Sequence, residues 1–374
     1  MTEISKEQLE QINLVISKLE NKDFGLYFFT LDTKGNPTAG VANIYEHVKV
    51  LNSLGYKAVI LHEKNDYKLR GDEQGHGIAD WLGEEYANLP HLSIESQQLN
   101  VGSADFIIIP EIFANIMDQV KAFPCKKVVF SQNYDYLLEL LPMGKRWNLD
   151  YGFNDVITTS RKQAEYLSNL FPAINTHVVP VSIPSYFKPS NKPKEPIIAV
   201  LTRNQGDVVK IVKSFYLQYP MYKWLSFKDL RGLKREDFAK DLGKCCLAIW
   251  IDDTAGFGTF PLESFQCETP IIVKVPKMLP EYMEGINAEG QTVIKNNTIY
   301  TSTDLNIPEL IATYMKTWLE DMVPQEFTNE LLASKNQYTP ERQRIEIDEV
   351  YNTLVTNRIN EFKAMLPKLE TNAL

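Results

Sequence analysis

Residues 247–274 read LAIWIDDTAGFGTFPLESFQCETPIIVK, a strand, a glycine turn, a helix start and a second strand in under thirty residues. Leu247 to Ile251 is an uncharged apolar run bounded by Asp252 and Asp253, which suits a strand buried on both faces of a parallel sheet. At Gly256-Phe257-Gly258 the chain turns. Two glycines around one aromatic let the backbone take positive φ and come close to a ligand, and Thr259 with Pro261 marks a helix's first turn. Unpaired N–H groups and a positive dipole end at such a start make phosphate a natural guest. Glu263 lies in that first turn. It reads either as a carboxylate favoured by the dipole or as an acceptor for vicinal ribose hydroxyls beside the phosphates.

Working outward, Ile197 to Leu201 reads as a strand, Thr202 to Gly206 as a loop and Asp207 to Tyr219 as a helix. A short strand at Trp224 to Phe227 and a charged helix at Lys234 to Lys244 then lead into the opening stretch. After it come a strand at Ile271 to Val275, a peripheral strand pair at Gln291 to Tyr300, and helices at Ile307 to Met322 and Pro340 to Met365. Upstream, Ile183 to Pro196 holds four prolines and no periodicity, so the domain boundary is placed there. The N-terminal part opens with an amphipathic helix at 5–20, Ser5 being its candidate N-cap. The strand Phe24 to Leu31, the turn-rich loop Asp32 to Gly40, the helix Val41 to Leu54 and the strand Lys57 to His62 make a βαβ unit. Residues 63–100 are polar, with an exposed loop at KNDYKLRGDEQGHG and a short helix at Ala79 to Tyr86. Further strands are read at Ala104 to Pro110, Lys127 to Ser131, Asp155 to Ser160 and His177 to Val181. Helices are read at Glu111 to Phe123 and Arg161 to Leu170. His47 within its helix and His76 between glycines are each more ordinary as packing or loop residues than as catalysts.

GFGTFPLESFQCETPII resembles the signature of retaining GT-B glycosyltransferases, E-G-F-G-x-x-x-L-E-A-x-A-x-G-x-P-V-I. Gly256, Phe257, Gly258, Leu262, Glu263, Thr269 and Pro270 match; Ala255 replaces the first glutamate, and Glu268 stands where glycine is usual. The resemblance implies two Rossmann-like α/β/α domains around a cleft. Residues 1–185 would form the acceptor-side domain and 186–340 the donor domain, with 341–374 a helix crossing back to the first. It assigns the ribose to Glu263 and leaves the sugar-facing role of the first glutamate without an owner. Arg203 matches the family's diphosphate-clamping arginine, and Lys210, displaced from the usual spacing, stands less clearly for its lysine; the alternative for each is a solvated surface charge. A guanidinium at a strand end can hold phosphate bidentately. Gly40 falls where the family's glycine loop closes over the donor, or it is simply a helix-entry glycine. Gln132 and Asn133 stand where many members carry an acceptor-side histidine. With Gly256, Phe257, Gly258 and Thr259 they complete the candidate site.

The chain has 374 residues, enough for two cores, with 44% hydrophobic and 23% charged residues. A net charge of −9 gives no general attraction to nucleic acid or to an anionic membrane. Four cysteines without metal-like spacing read as reduced thiols, and no signal peptide or membrane span is evident. The expected activity is sugar transfer from a nucleoside diphosphate sugar, with retention, in the cytoplasm, without metal or cofactor. The acceptor is left open among a glycan, a lipid-linked saccharide, a protein and a modified base. Alternatives are a nucleotide-sugar epimerase and a degenerate GT-B domain that binds nucleotide or glycan as a partner subunit. Oligomeric state is not legible.

Overall fold

The computed structural model describes residues 5–73, 76–96, 99–295 and 299–366. Parts of two sequence expectations, the loop around Gln74 and Gly75 and the strand pair around Asn296 to Thr298, lie outside the described residues, as does 367–374 of the last segment.

Short apolar runs alternating with amphipathic helices fold here as two parallel sheets covered by helices on both faces. Among the described residues the first sheet holds β1 (Gly25–Phe29), β2 (Lys57–His62), β3 (His91–Ser93), β4 (Phe106–Pro110), β5 (Lys126–Ser131), β6 (Asp155–Thr158) and β7 (Asn175–Val178). Their order is β3-β2-β1-β4-β5-β6-β7. The second sheet holds β8 (Glu195–Thr202), β9 (Ser226–Asp229), β10 (Cys245–Ile251) and β11 (Ile271–Lys274). A small antiparallel pair, β12 (Glu284–Ile286) with β13 (Thr292–Ile294), precedes the edge strand β14 (Tyr300–Thr301), and the sheet order is β14-β11-β10-β8-β9. Every residue of β4 and of β10 is buried, as strands sandwiched between helix layers must be. Complete burial of each large aliphatic residue in β10 contributes roughly 1.5–3 kcal/mol. That strand therefore anchors the second core.

Ser5 caps the helix Lys6–Glu20 in a reciprocal capping box with Gln8. The long helix Pro340–Lys363 packs back on the first sheet, burying Ile347, Tyr351, Leu354 and Phe362 in the core that contains Phe28 and Phe130. Lys126 of β5 pairs with its Glu361 at 2.6 Å. His47 is fully buried there, and its pKa is pushed down to about 3 by burial, so it is a neutral packing residue.

Several boundaries differ from the sequence reading. The helix expected at Glu111 to Phe123 is only Ala114–Val120, which leaves Glu111 in the turn that follows β4. The helix after β1 begins at Ala39, so Gly40 sits in its first turn rather than in the loop. The helices Tyr134–Leu140 and Gln325–Gln337 were not anticipated.

Candidate active site

A ligand in an open α/β sheet sits beyond the carboxyl ends of the strands where the strand order reverses. In the first sheet that point is between β1 and β4, and in the second between β8 and β10. A cavity of about 540 Å³ lies between the two switch points, lined by Glu111 and Gln132 from one side and by Arg203, Asp252 and residues 255–260 from the other.

Arg203 follows β8 and Asp252 follows β10, side by side because Thr202 pairs in register with Ile251. Nε and Nη2 of Arg203 donate to the two Asp252 carboxylate oxygens at 2.8 Å each, and Nη1 donates to the Tyr136 hydroxyl. The guanidinium also lies 5.4 Å from the Tyr136 ring centroid. It is thus oriented from both domains while half-exposed to the cavity. Asp252 Oδ1 also accepts from the backbone N–H and hydroxyl of Thr254, so it shapes the turn as well.

Lys210 is not brought to this place. Its side chain is 75% exposed, pairs with Asp207 at 3.3 Å one helix turn away, and does not line the cavity. Since such a solvated pair is weak, Lys210→Ala is expected to change affinity for the nucleoside diphosphate sugar that the sequence resemblance implies by no more than roughly threefold. Titration of donor binding by calorimetry checks this.

The two glycines of the turn serve different purposes. Gly258 has φ +79°, and a Cβ there would fall 2.3 Å from the Trp250 ring. Gly256 needs no positive φ; its constraint is proximity, because a Cβ would fall 2.2 Å from the Gln132 carbonyl oxygen of the opposite domain. Asn133 Nδ2 donates to the Thr254 carbonyl at 3.0 Å and reinforces the same contact. Gly256→Ala is therefore expected to hold the domains apart, lowering kcat by about tenfold or more through misplacement. Nucleotide affinity would change little. Small-angle scattering and turnover measured together test it.

Gln132 and Asn133 are not free polar groups awaiting an acceptor. Gln132 donates to the Gly40 carbonyl at 3.0 Å and accepts from Asn43 Nδ2 at 3.0 Å, while Asn133 caps the helix Tyr134–Leu140. They fix the start of the helix at Gly40 and the contact between the two domains. Thr259 precedes the helix Phe260–Gln266 without a side-chain capping bond, and seven residues give that helix only a small dipole. Phe257 is buried, its ring 5.4 Å from Tyr282 and 5.6 Å from Tyr338. Tyr282 donates to the Gly258 carbonyl at 2.6 Å, locking the turn.

Glu263 faces a second cavity of about 310 Å³ that shares Ala39, Val181 and Thr259 with the first. It is buried and accepts from Arg235 Nη2 at 2.6 Å; that guanidinium lies 4.9 Å from the Phe187 ring centroid and 5.5 Å from that of Phe238. Sequence reading found the carboxylate and not its cation. The signal was weak, one arginine in a helix rich in charge.

Glu111 is the residue that sequence reading missed. It is 3% exposed, lines the larger cavity, and its Oε1 accepts the Asn133 N–H at 2.7 Å. Burial pushes its pKa up to about 7, against backbone N–H bonds from Glu111 itself, Asn133 and Gln132. An acidic residue directly after a five-residue, wholly apolar strand was the available signal. Among the described residues, no group of three or more His, Cys, Asp or Glu side chains could hold a metal ion.

No family model matches the chain. Over 249 residues it is 24% identical to the alpha-1,6-glucosyltransferase of Actinobacillus pleuropneumoniae serotype 7 (strain AP76), covering 65% of this chain and 70% of that protein. Sucrose-phosphate synthase from Thermosynechococcus elongatus superposes with a TM-score of 0.58 at 11% identity, over 89% of this chain and 100% of that one. The pneumococcal O-GlcNAc transferase GtfA, solved with UDP and GlcNAc, gives 0.54 at 9% identity, over 90% and 99%. The catalytic domain of starch synthase IV from Arabidopsis thaliana, bound to ADP and acarbose, gives 0.52 at 10% identity, again over 90% and 99%. The architecture is the GT-B fold of these solved structures. Among the described residues, no helix is long and apolar enough to cross a membrane.

Proposed function

We propose that this protein transfers a hexosyl group from a nucleoside diphosphate sugar to an acceptor hydroxyl with retention of configuration. The observation that carries the reading is the oriented Arg203 guanidinium at the switch point of the second sheet, facing the glycine turn across one cavity. In this scheme the ribose lies in the smaller cavity against Glu263, and the diphosphate meets Arg203 and the N–H groups around Gly258 and Thr259. The bond between the anomeric carbon and the phosphate oxygen breaks, and the diphosphate departs with the electron pair. Arg203 stabilises that charge as it develops. The acceptor oxygen attacks from the same face and loses its proton. Neither metal nor organic cofactor enters the scheme.

Because the curated relative is named an alpha-1,6-glucosyltransferase, nucleoside diphosphate glucose is the first donor to test and a glucoside with a free 6-hydroxyl the first acceptor. An α-linked product formed from an α-linked donor is retention. A glycan, lipid-linked saccharide, protein or modified base can each carry such a hydroxyl, and the charge of −9 disfavours polyanions. Four free, buried cysteines suit a reducing compartment, and we place the protein in the cytoplasm.

Ala255 favours one second reading, a GT-B subunit that binds nucleotide without turnover. Saturation-transfer NMR with UDP-, GDP-, ADP- and TDP-sugars separates the two. Binding with slow hydrolysis, abolished in Arg203→Ala, supports transfer. Binding without turnover supports the subunit reading, and no binding at millimolar concentration overturns both.

A further inference from the structure

We infer that Glu111 is the base that takes the proton from the acceptor hydroxyl during transfer, a role that rests on the transferase reading above. Three observations converge on it. Glu111 is placed at the carboxyl end of β4, beside the switch point of the first sheet, where open α/β sheets receive ligands. It lines the same cavity as Arg203 and the glycine turn, on the wall opposite them. Its orientation is fixed, since Oε1 accepts the Asn133 N–H and Asn133 is itself pinned to Thr254 across the cleft. Ala255 removes the carboxylate that the donor wall would otherwise offer, and Glu111 brings one from the acceptor wall.

The charges around it suit a base. The ionisable groups sharing its cavity are Arg203 and Asp252, locked to each other, and the Tyr136 phenol, which accepts from Arg203. None of them acts on its pKa, which burial raises and the backbone N–H groups of Glu111, Asn133 and Gln132 pull back down. A carboxyl titrating near 7 is matched to proton abstraction at neutral pH. The competing base is the leaving diphosphate, and an arginine clamp lowers its basicity. The step balances: the hydroxyl proton moves to the Glu111 carboxylate, the acceptor oxygen bonds to the anomeric carbon, and the diphosphate leaves with the electrons of the broken bond. Glu111 then returns the proton to solvent.

The test compares wild type with Glu111→Gln and Glu111→Asp, using UDP-, GDP-, ADP- and TDP-glucose as donors and p-nitrophenyl β-glucoside or water as acceptor. Glutamine keeps the oxygen that accepts the Asn133 N–H, so the fold is retained. Glu111→Gln is expected to lower kcat by about a hundredfold or more while nucleotide affinity stays within about twofold. The wild-type rate falls as pH drops below about 7, and this limb is absent from the variant. Glu111→Asp recovers part of the rate.

A readout independent of turnover is stability against pH. With its folded pKa raised, Glu111 contributes stability that is full below about 4.5 and is lost as pH rises through about 7. Wild type should therefore lose melting temperature across that window relative to Glu111→Gln. Equal turnover in the variant, a retained pH limb, or parallel melting curves overturns the assignment while leaving the transferase reading intact. Absence of wild-type turnover with all four donors overturns both.

Discussion

Arg203→Ala is expected to reduce kcat/KM for the nucleotide sugar by about 10²–10³, the cost of removing one preorganised group aimed at developing charge. Two effects add in the same direction. On the proposed reading the donor loses a cationic partner for its diphosphate, and Asp252, now without the guanidinium that holds both its oxygens, presents a carboxylate to the same anionic group. Arg203→Lys should recover only part of the loss, because an ammonium keeps the charge but cannot span both Asp252 oxygens and still reach Tyr136. Folding is little affected, since the pair is partly exposed and such pairs contribute about 0–1 kcal/mol. Steady-state kinetics with a melting curve on the same preparation separate these outcomes. A loss in affinity with kcat unchanged would mean that Arg203 holds donor and transition state equally. A loss in kcat alone would place its action on the leaving group.

The sequence carried the parts of this site that depend on local chemistry. β10 was legible as an uncharged apolar run ending in two aspartates, and Arg203 as a cation at a strand end, because both signals lie within one element and its next residue. Gly258 was legible for the same reason, as its positive φ is a local property. What stayed hidden depends on pairs far apart in the chain. Gly256 is required by the Gln132 carbonyl 124 positions earlier, and nothing at either position announces the other. Glu263 read as a free carboxylate because its cation, Arg235, approaches only when two helices pack side by side. Glu111 was absorbed into a helix because acidic residues favour helix starts, yet the helix begins three residues later and the carboxylate turns inward to the Asn133 N–H. Propensity favoured the ordinary use of the residue, and tertiary contact decided otherwise.

Glu263→Ala is expected to cost about 3–5 kcal/mol of folding stability, because it leaves the Arg235 charge largely buried and unpaired. The guanidinium cannot simply swing into water while it is packed over Phe187 and Phe238, and its Nε already has no partner. This loss complicates any test of the ribose role, since a variant that unfolds also fails to bind nucleotide. The remedy follows from the energetics of buried pairs: replacing both partners by apolar residues of similar volume is often neutral, whereas removing one is not. Glu263→Leu combined with Arg235→Met is therefore expected to melt near wild type. If Glu263 accepts the ribose hydroxyls, that stable double variant still loses nucleotide affinity, by roughly the 1.5–3 kcal/mol typical of a hydrogen bond to a charged group. Calorimetric titration with the preferred nucleoside diphosphate and with its 2′-deoxy analogue completes the argument. Wild type should discriminate between the two and the double variant should not. Equal discrimination by both would assign the Arg235–Glu263 pair to packing alone and move the ribose contact elsewhere in the smaller cavity.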